Sequence, residues 1–231
     1  FARDHLAEPF MEGEAVLKQV LVYSDSLTWG IIPGTRERLD FDQRWPGVLE
    51  NGLILDEHHV RVVEDCLNGR RTVWDDPFKP GRNGLEGLAQ AVEMHSPLAL
   101  VIIMLGNNDF QSMHPHTAWH AAQGVGTLIN EVRTAPIEPG MPAPPILVVC
   151  PPVIQAPKGP IADKFVGAEE KAAGLALEMR KVAAAEGCHF FDAGTVAKTS
   201  AVDGVHLDAE QHFALGRALI DVIDKILDRD F

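Results

Sequence analysis

Val20-Leu21-Val22-Tyr23-Ser24-Asp25-Ser26-Leu27-Thr28-Trp29-Gly30 is an apolar run of strand length that ends abruptly in a small, polar, hydroxyl-bearing turn. Uninterrupted apolar runs of this length read as strands buried on both faces, as in a parallel sheet covered by helices. Such a strand delivers the residues that follow it to the carboxyl edge of the sheet, where open α/β folds place their ligands. Ser26 is therefore a candidate nucleophile. By itself a serine in a turn is more often a helix cap, a role open here to Asp25 and Ser24 as well. The nucleophile reading needs a base, an acid to orient the base, and donors for an oxyanion elsewhere in the chain.

Outward from this stretch, apolar strand-like runs alternate with helical patterns. Residues 45–55 carry Trp45, Val48, Leu49 and Leu53 on one side of a helix. Residues 59–63 form a short second strand, followed by a polar turn from Glu64 to Arg70. A helix over 85–94 leads to 97–105, a nine-residue run without charge that reads as the central strand and ends in Gly106-Asn107-Asn108-Asp109. Further on stand a helix over 119–132, a strand over 146–150, one long helix over 168–186, a last strand over 189–191 and a final helix over 208–227. About five alternations predict an α/β fold, with a parallel sheet of about five strands between two helical layers. Residues 1–19 read as an N-terminal arm and 20–231 as one domain.

The composition excludes several partners. With 33 acidic and 20 basic residues the net charge is -13, which repels nucleic-acid phosphates and anionic lipid. No stretch approaches the roughly eighteen apolar residues of a membrane span. Cys66, Cys150 and Cys188 are odd in number and widely spaced, and read as reduced, mostly buried thiols. The acidic start has no basic, then apolar, leader pattern, so the default compartment is the cytoplasm. The chain begins with Phe, so secretion stays open.

The base is found near the C-terminus, in Asp203-Gly204-Val205-His206. Across a glycine-containing turn the Asp203 carboxylate can reach Nδ1 of His206, leaving Nε2 free to face Ser26. Three candidate oxyanion donors follow three strands: the Ser26 N–H, the Gly69 N–H and the Asn108 side-chain amide. Their plain alternatives are a cap, a turn glycine and a turn-former.

These segments together resemble the blocks of the SGNH/GDSL hydrolases, with Ser26, Gly69, Asn108 and His206 at the four namesake positions and in the family's order. Ser26-Leu27-Thr28-Trp29-Gly30, Arg44-Trp45-Pro46, Leu67-Asn68-Gly69-Arg70 and Phe191-Asp192-Ala193-Gly194 make the chain similar to the bacterial arylesterase and acyltransferase branch. The resemblance implies a flavodoxin-like three-layer sandwich, no metal or other cofactor, and short-chain acyl esters as small-molecule substrates. It also implies that the acyl group can pass to alcohols in some members, and that many members are homo-oligomers. Asp25, Trp29 and Asn68, adjacent to these positions, are candidates for the substrate pocket.

Four residues depart from the family pattern. Ser24 stands where glycine is usual and Asn107 where threonine is common, while Cys66 and Arg71 are unusual. If position 24 needs a positive φ, its side chain strains the turn and slows the reaction. A carbohydrate acetyl esterase is the alternative within the class. A weakened ligand-binding module is the alternative outside it. His114, His116 and His120 invite a metal reading, but lack carboxylate or thiolate co-ligands at typical spacing. They read instead as a solvated loop beside the pocket, and Asp75-Asp76 as a solvated turn.

Overall fold

The computed structural model describes residues 16–228. Five parallel strands, β1 (Lys18–Ser24), β2 (Val60–Cys66), β3 (Leu100–Met104), β4 (Ile146–Cys150) and β5 (His189–Asp192), form one sheet in the order β2-β1-β3-β4-β5. This is the flavodoxin-like order, in which the chain direction across the sheet reverses between β1 and β3. The run without charge forms β3, the middle strand, and every residue of β3 and β4 is buried.

Alternate side chains of each strand feed two cores. Leu21, Tyr23, Val101, Ile103 and Val148 pack under α3 (Leu88–His95), α4 (Ala118–Thr134) and α6 (Leu175–Ala185). Val20, Val22, Leu100, Ile102 and Leu147 pack under α2 (Trp45–Leu55) and α7 (Ala209–Leu227). The layers are therefore helix, sheet, helix. One-turn helices α1 (Ser26–Trp29) and α5 (Ala168–Lys171) complete the set.

The predicted strands and helices are all present, most of them with corrected bounds. β1 begins at Lys18, so residues 18–19 of the expected arm belong to the sheet, and its residues 1–15 lie outside the described residues. Glu64, Asp65 and Cys66 are strand, not turn, because each pairs with β1 opposite Val22, Tyr23 and Ser24. The carboxylate of Glu64 is held there by Arg44 at 2.6 Å. The single helix expected over 168–186 is two, broken at Gly174, which adopts a left-handed φ of 83°.

Register sets the position of the site. Ser24 lies opposite both Cys66 and Met104, so β1, β2 and β3 end level. The turns that carry Ser26, Gly69 and Asn108 thus begin at one edge, at the reversal point.

Candidate active site

Ser26 opens α1, immediately after β1. Asp25 is the cap: one carboxylate oxygen accepts the Leu27 N–H at 2.9 Å. This fixes the turn and leaves the Ser26 hydroxyl facing His206, with Oγ 3.2 Å from Nε2. Asp203 Oδ2 lies 2.7 Å from His206 Nδ1. A proton on Nδ1 shared with the carboxylate leaves Nε2 able to accept the Ser26 proton. All three side chains are at least nine-tenths buried.

The turn that holds this histidine is built locally. Asp203 Oδ1 accepts the N–H groups of Val205 and His206, both at 2.9 Å, so the carboxylate is gripped by the backbone of the segment that carries the imidazole. Gly204 sits at φ 75°, and a Cβ there would stand 2.1 Å from the Gln155 carbonyl, which leaves no room for any other residue. Burial raises the Asp203 carboxyl, but the bonds from His206 and from the Val205 and His206 N–H groups outweigh it and hold the acid to about 2.

On the other side of Ser26 stands Asn108. Its amide nitrogen donates to Asp25 Oδ2 at 2.8 Å and to the Arg70 carbonyl at 3.1 Å, while its oxygen accepts from Gln111 Nε2 at 2.8 Å. Gln111 in turn accepts from Arg71, whose guanidinium is fully buried and ion-paired with Asp76 at 2.8 Å. Among the described residues, neither the Ser26 nor the Gly69 backbone N–H donates to a protein acceptor.

Two cavities adjoin these groups. A narrow one of about 60 Å³ is lined by Ser26, Asn68, Gly69, Asn108 and His206. A wider cleft of about 420 Å³ runs past Asp203 and His206 between the loops around Gly34 and Gly159. The structure therefore brings together Ser26, Gly69, Asn108, Asp203 and His206. Preorganised N–H donors beside a hydroxyl and an oriented imidazole are an arrangement able to support acyl transfer.

Of the three pocket candidates, Asn68 lines the narrow cavity, and its Oδ1 is buried without a hydrogen-bond partner among the described residues. Asp25 does not line it: the carboxylate is spent on the cap and on Asn108. Trp29 does not line it either, because its ring turns to the Arg38 guanidinium, 4.7 Å from the ring centroid.

The departures from the family pattern are accommodated except at Asn107, whose Oδ1 is buried without a hydrogen-bond partner among the described residues. Ser24 shows no positive φ; its hydroxyl donates to the Met104 carbonyl at 2.7 Å and accepts from Thr28 Oγ1 at 2.7 Å, so no strain arises there. Asn107 donates to the Pro152 carbonyl at 3.1 Å and ties the end of β3 to that of β4. Burial pushes the Cys66 thiol well up. Asp76 is not a solvated residue but the buried partner of Arg71. His114 and His116 stack at 4.9 Å, and His116 stacks on Trp74 at 4.0 Å, so this stretch is packed and lines neither cavity. Burial, then the neighbouring His114 and His120, lower His116 to about 4.

Sequence reasoning missed the chain Asp76–Arg71–Gln111–Asn108. The one signal for it was that Arg71 is unusual at its position. It also missed Arg36, Ile161 and Lys164, which stand where the two cavities meet.

Comparison with known proteins supplies the remaining findings. A model of the GDSL-like lipase/acylhydrolase family matches residues 25–214. A carbohydrate acetylesterase family member from Sinorhizobium meliloti is 39% identical, with a TM-score of 0.86, over 91% of this chain and 99% of that one. The native aryl esterase of M. smegmatis is 38% identical, with a TM-score of 0.85, over 90% of this chain and 99% of that one. A search of curated proteins gives no match.

Proposed function

The chain belongs to the GDSL-like lipase/acylhydrolase family and is a carboxylic ester hydrolase, and on that premise we propose that it cleaves short-chain acyl esters through an acyl-enzyme on Ser26. The observation that carries this reading is the run of contacts from Asp203 Oδ2 to His206 Nδ1 at 2.7 Å and from His206 Nε2 to Ser26 Oγ at 3.2 Å.

In the reaction, His206 Nε2 takes the Ser26 proton as Oγ bonds to the ester carbonyl carbon. The carbonyl oxygen becomes an oxyanion, held by the Ser26 and Gly69 N–H groups, which have no protein acceptor to leave among the described residues. Asn108 adds a third donor: the N–H that bonds the Arg70 carbonyl, with Nδ2 3.1 Å from that oxygen, is shared with the oxyanion, while the other N–H keeps its bond to Asp25 at 2.8 Å. α1 is a single turn, so its contribution is this N–H rather than a long helix dipole. Collapse breaks the carbon–oxygen bond, and His206 returns the proton to the departing alcohol. A water molecule then attacks the acyl-enzyme, giving its proton to His206; the second collapse releases the carboxylic acid and restores the Ser26 hydroxyl. An alcohol in place of water completes an acyl transfer by the same steps. Asp203 stays ionised throughout, since its carboxyl is held to about 2.

The narrow cavity of about 60 Å³ beside Ser26 suits a short acyl group. A carbohydrate acetyl ester is the second reading, favoured by the buried Asn68 Oδ1, an acceptor without a partner among the described residues and suited to a substrate hydroxyl. Ser26→Ala is expected to lower kcat on p-nitrophenyl acetate by roughly 10⁶-fold with Tm unchanged; full turnover in that variant would refute the mechanism. Rates on acetylated sugars and aryl acetates measured side by side separate the two substrate readings.

A further inference from the structure

The chain is acidic, with 33 Asp and Glu against 20 Lys and Arg, yet the walls around Ser26 have the opposite sign. Arg36 and Lys164 line both cavities, Lys158 lines the wide cleft and Lys79 the narrow cavity. They come from three separate loops, after α1, after β2 and after β4. The carboxylate in these linings is Asp203, whose oxygens are already engaged by His206 and by two N–H groups. Among the described residues none of the four cations has a carboxylate within ion-pair distance, and Lys158 donates to the Ala201 carbonyl. Asp76, the acid whose charge reaches Lys79 and Lys164, is committed to Arg71.

A solvated lysine on a surface needs no explanation. Four cations along two adjoining cavities, in a chain of net charge -13, do. Burial, and then the charges of Arg71, Lys79 and Arg36, lower the Lys164 ammonium against the opposing pull of Asp76. Burial, then Arg82 and Arg36, lower Lys79. Like charges close enough to depress one another are relieved by an anion between them.

We propose that the preferred esters carry an anionic group, a carboxylate or a phosphate, on their alcohol portion, and that Arg36, Lys158 and Lys164 hold it in the wide cleft. The proposal rests on the reading of Ser26 and His206 above. That reading also decides which half of the ester is charged. The acyl group fills the narrow cavity, which alone is lined by Ser26, Gly69 and Asn108, whereas the departing oxygen lies beside His206, which borders both cavities and so opens the alcohol portion to the wide cleft. Ile161 and Val202 give that cleft an apolar wall for the body of the alcohol, between its oxygen and its charge.

The test compares 4-acetoxybenzoate with its methyl ester, two substrates that differ in one charge remote from the reacting bond. For each, kcat/KM is divided by the rate with hydroxide, which removes intrinsic reactivity. The anionic substrate is expected to be preferred about tenfold at low salt, as a few partly exposed cations would give. The preference is expected to fall toward unity at about 1 M salt, where the screening length shrinks to about 3 Å. It is also expected to fall toward unity in the double variant Arg36→Gln/Lys164→Gln. 4-Acetoxyphenyl phosphate, run alongside, shows which anion the cleft takes: the one with the higher normalised kcat/KM. A low-salt ratio at or below one for both anions, or a ratio that the double variant leaves unchanged, overturns the proposal. Hydrolysis of the neutral methyl ester, and its loss in Ser26→Ala, reports on the nucleophile separately, so the two readings fail in different ways.

Discussion

Asp203 and Asp25 stand on opposite sides of Ser26, one oriented on the imidazole that faces it and the other capping the turn that carries it. Their surroundings drive the two acids apart. Asp203 is raised by burial but gripped by His206 and two backbone N–H groups, and is held to about 2. For Asp25 burial prevails: despite the Leu27 N–H, the charge of His206 and the Asn108 amide, it is pushed up to about 6. The first arm is a carboxylate–imidazole hydrogen bond made within four residues. The second is a buried hydrogen-bond chain that reaches through Asn108 and Gln111 to Arg71 and Asp76. In the proposed mechanism, electrostatic work falls to the local arm, and placement of a donor falls to the long-range one.

The contrast can be broken most sharply at Asp203. Asp203→Asn removes the charge that stabilises the imidazolium, and is expected to lower kcat by about 10³ to 10⁴-fold with the far-ultraviolet dichroism unchanged. A loss of less than tenfold would mean that His206 does not depend on this carboxylate.

A change on the other arm is expected to act mainly on stability. Arg71→Met leaves Asp76 buried without its partner and loosens Gln111; breaking a buried pair in this way costs about 3 kcal/mol. Urea denaturation measures that loss. Adding Asp76→Asn to the same chain should recover part of it, and no recovery would show that the pair is not the cause.

The smallest effect is a dependence on pH. Asp25 and its neighbour Asp109, raised by burial to about 6 and about 7 from 3.8, bind protons more tightly folded than unfolded. Their contribution is therefore fully present below about pH 4 and is lost as the pH rises through about 7. Asp203, lowered to about 2, has the opposite sign: its contribution is present above about pH 4 and lost as the pH falls through about 2. Asp109 accepts from the Thr72 N–H at 2.9 Å and the Thr72 hydroxyl at 2.5 Å. Asp109→Asn keeps an acceptor there without a titrating charge, so its stability relative to the unsubstituted protein is expected to improve as the pH is raised from about 4 to about 8. A difference in urea midpoint that stays constant over that range would exclude a raised acid at this position.

Much of the fold could be read directly, because buried parallel strands are near-continuous apolar runs. β4 and α2 fall at the expected residues, and β3 is the middle strand as its lack of charge predicted. Errors arose where polar residues pair in a sheet edge, as Glu64 and Asp65 do in β2, and where Gly174 breaks a helix whose apolar spacing runs on across it. At the site, Asp203 and His206 were legible as partners because three residues and a glycine turn set their distance. Asp25 was misread as a pocket residue, since its partner Asn108 lies 83 positions away.

The sequence by itself determined the alternation of strands and helices, the burial of the central strands, and the local turn that couples Asp203 to His206. Each depends on side-chain period or on contacts a few residues apart. Tertiary structure alone decided that Ser24 is unstrained, that Arg71 is buried between Asp76 and Gln111, and that Arg36, Lys79, Lys158 and Lys164 line the two adjoining cavities. Those relations join loops that follow different strands. Strand order and register determine which loops become neighbours, and neither is written in the local pattern of any one segment.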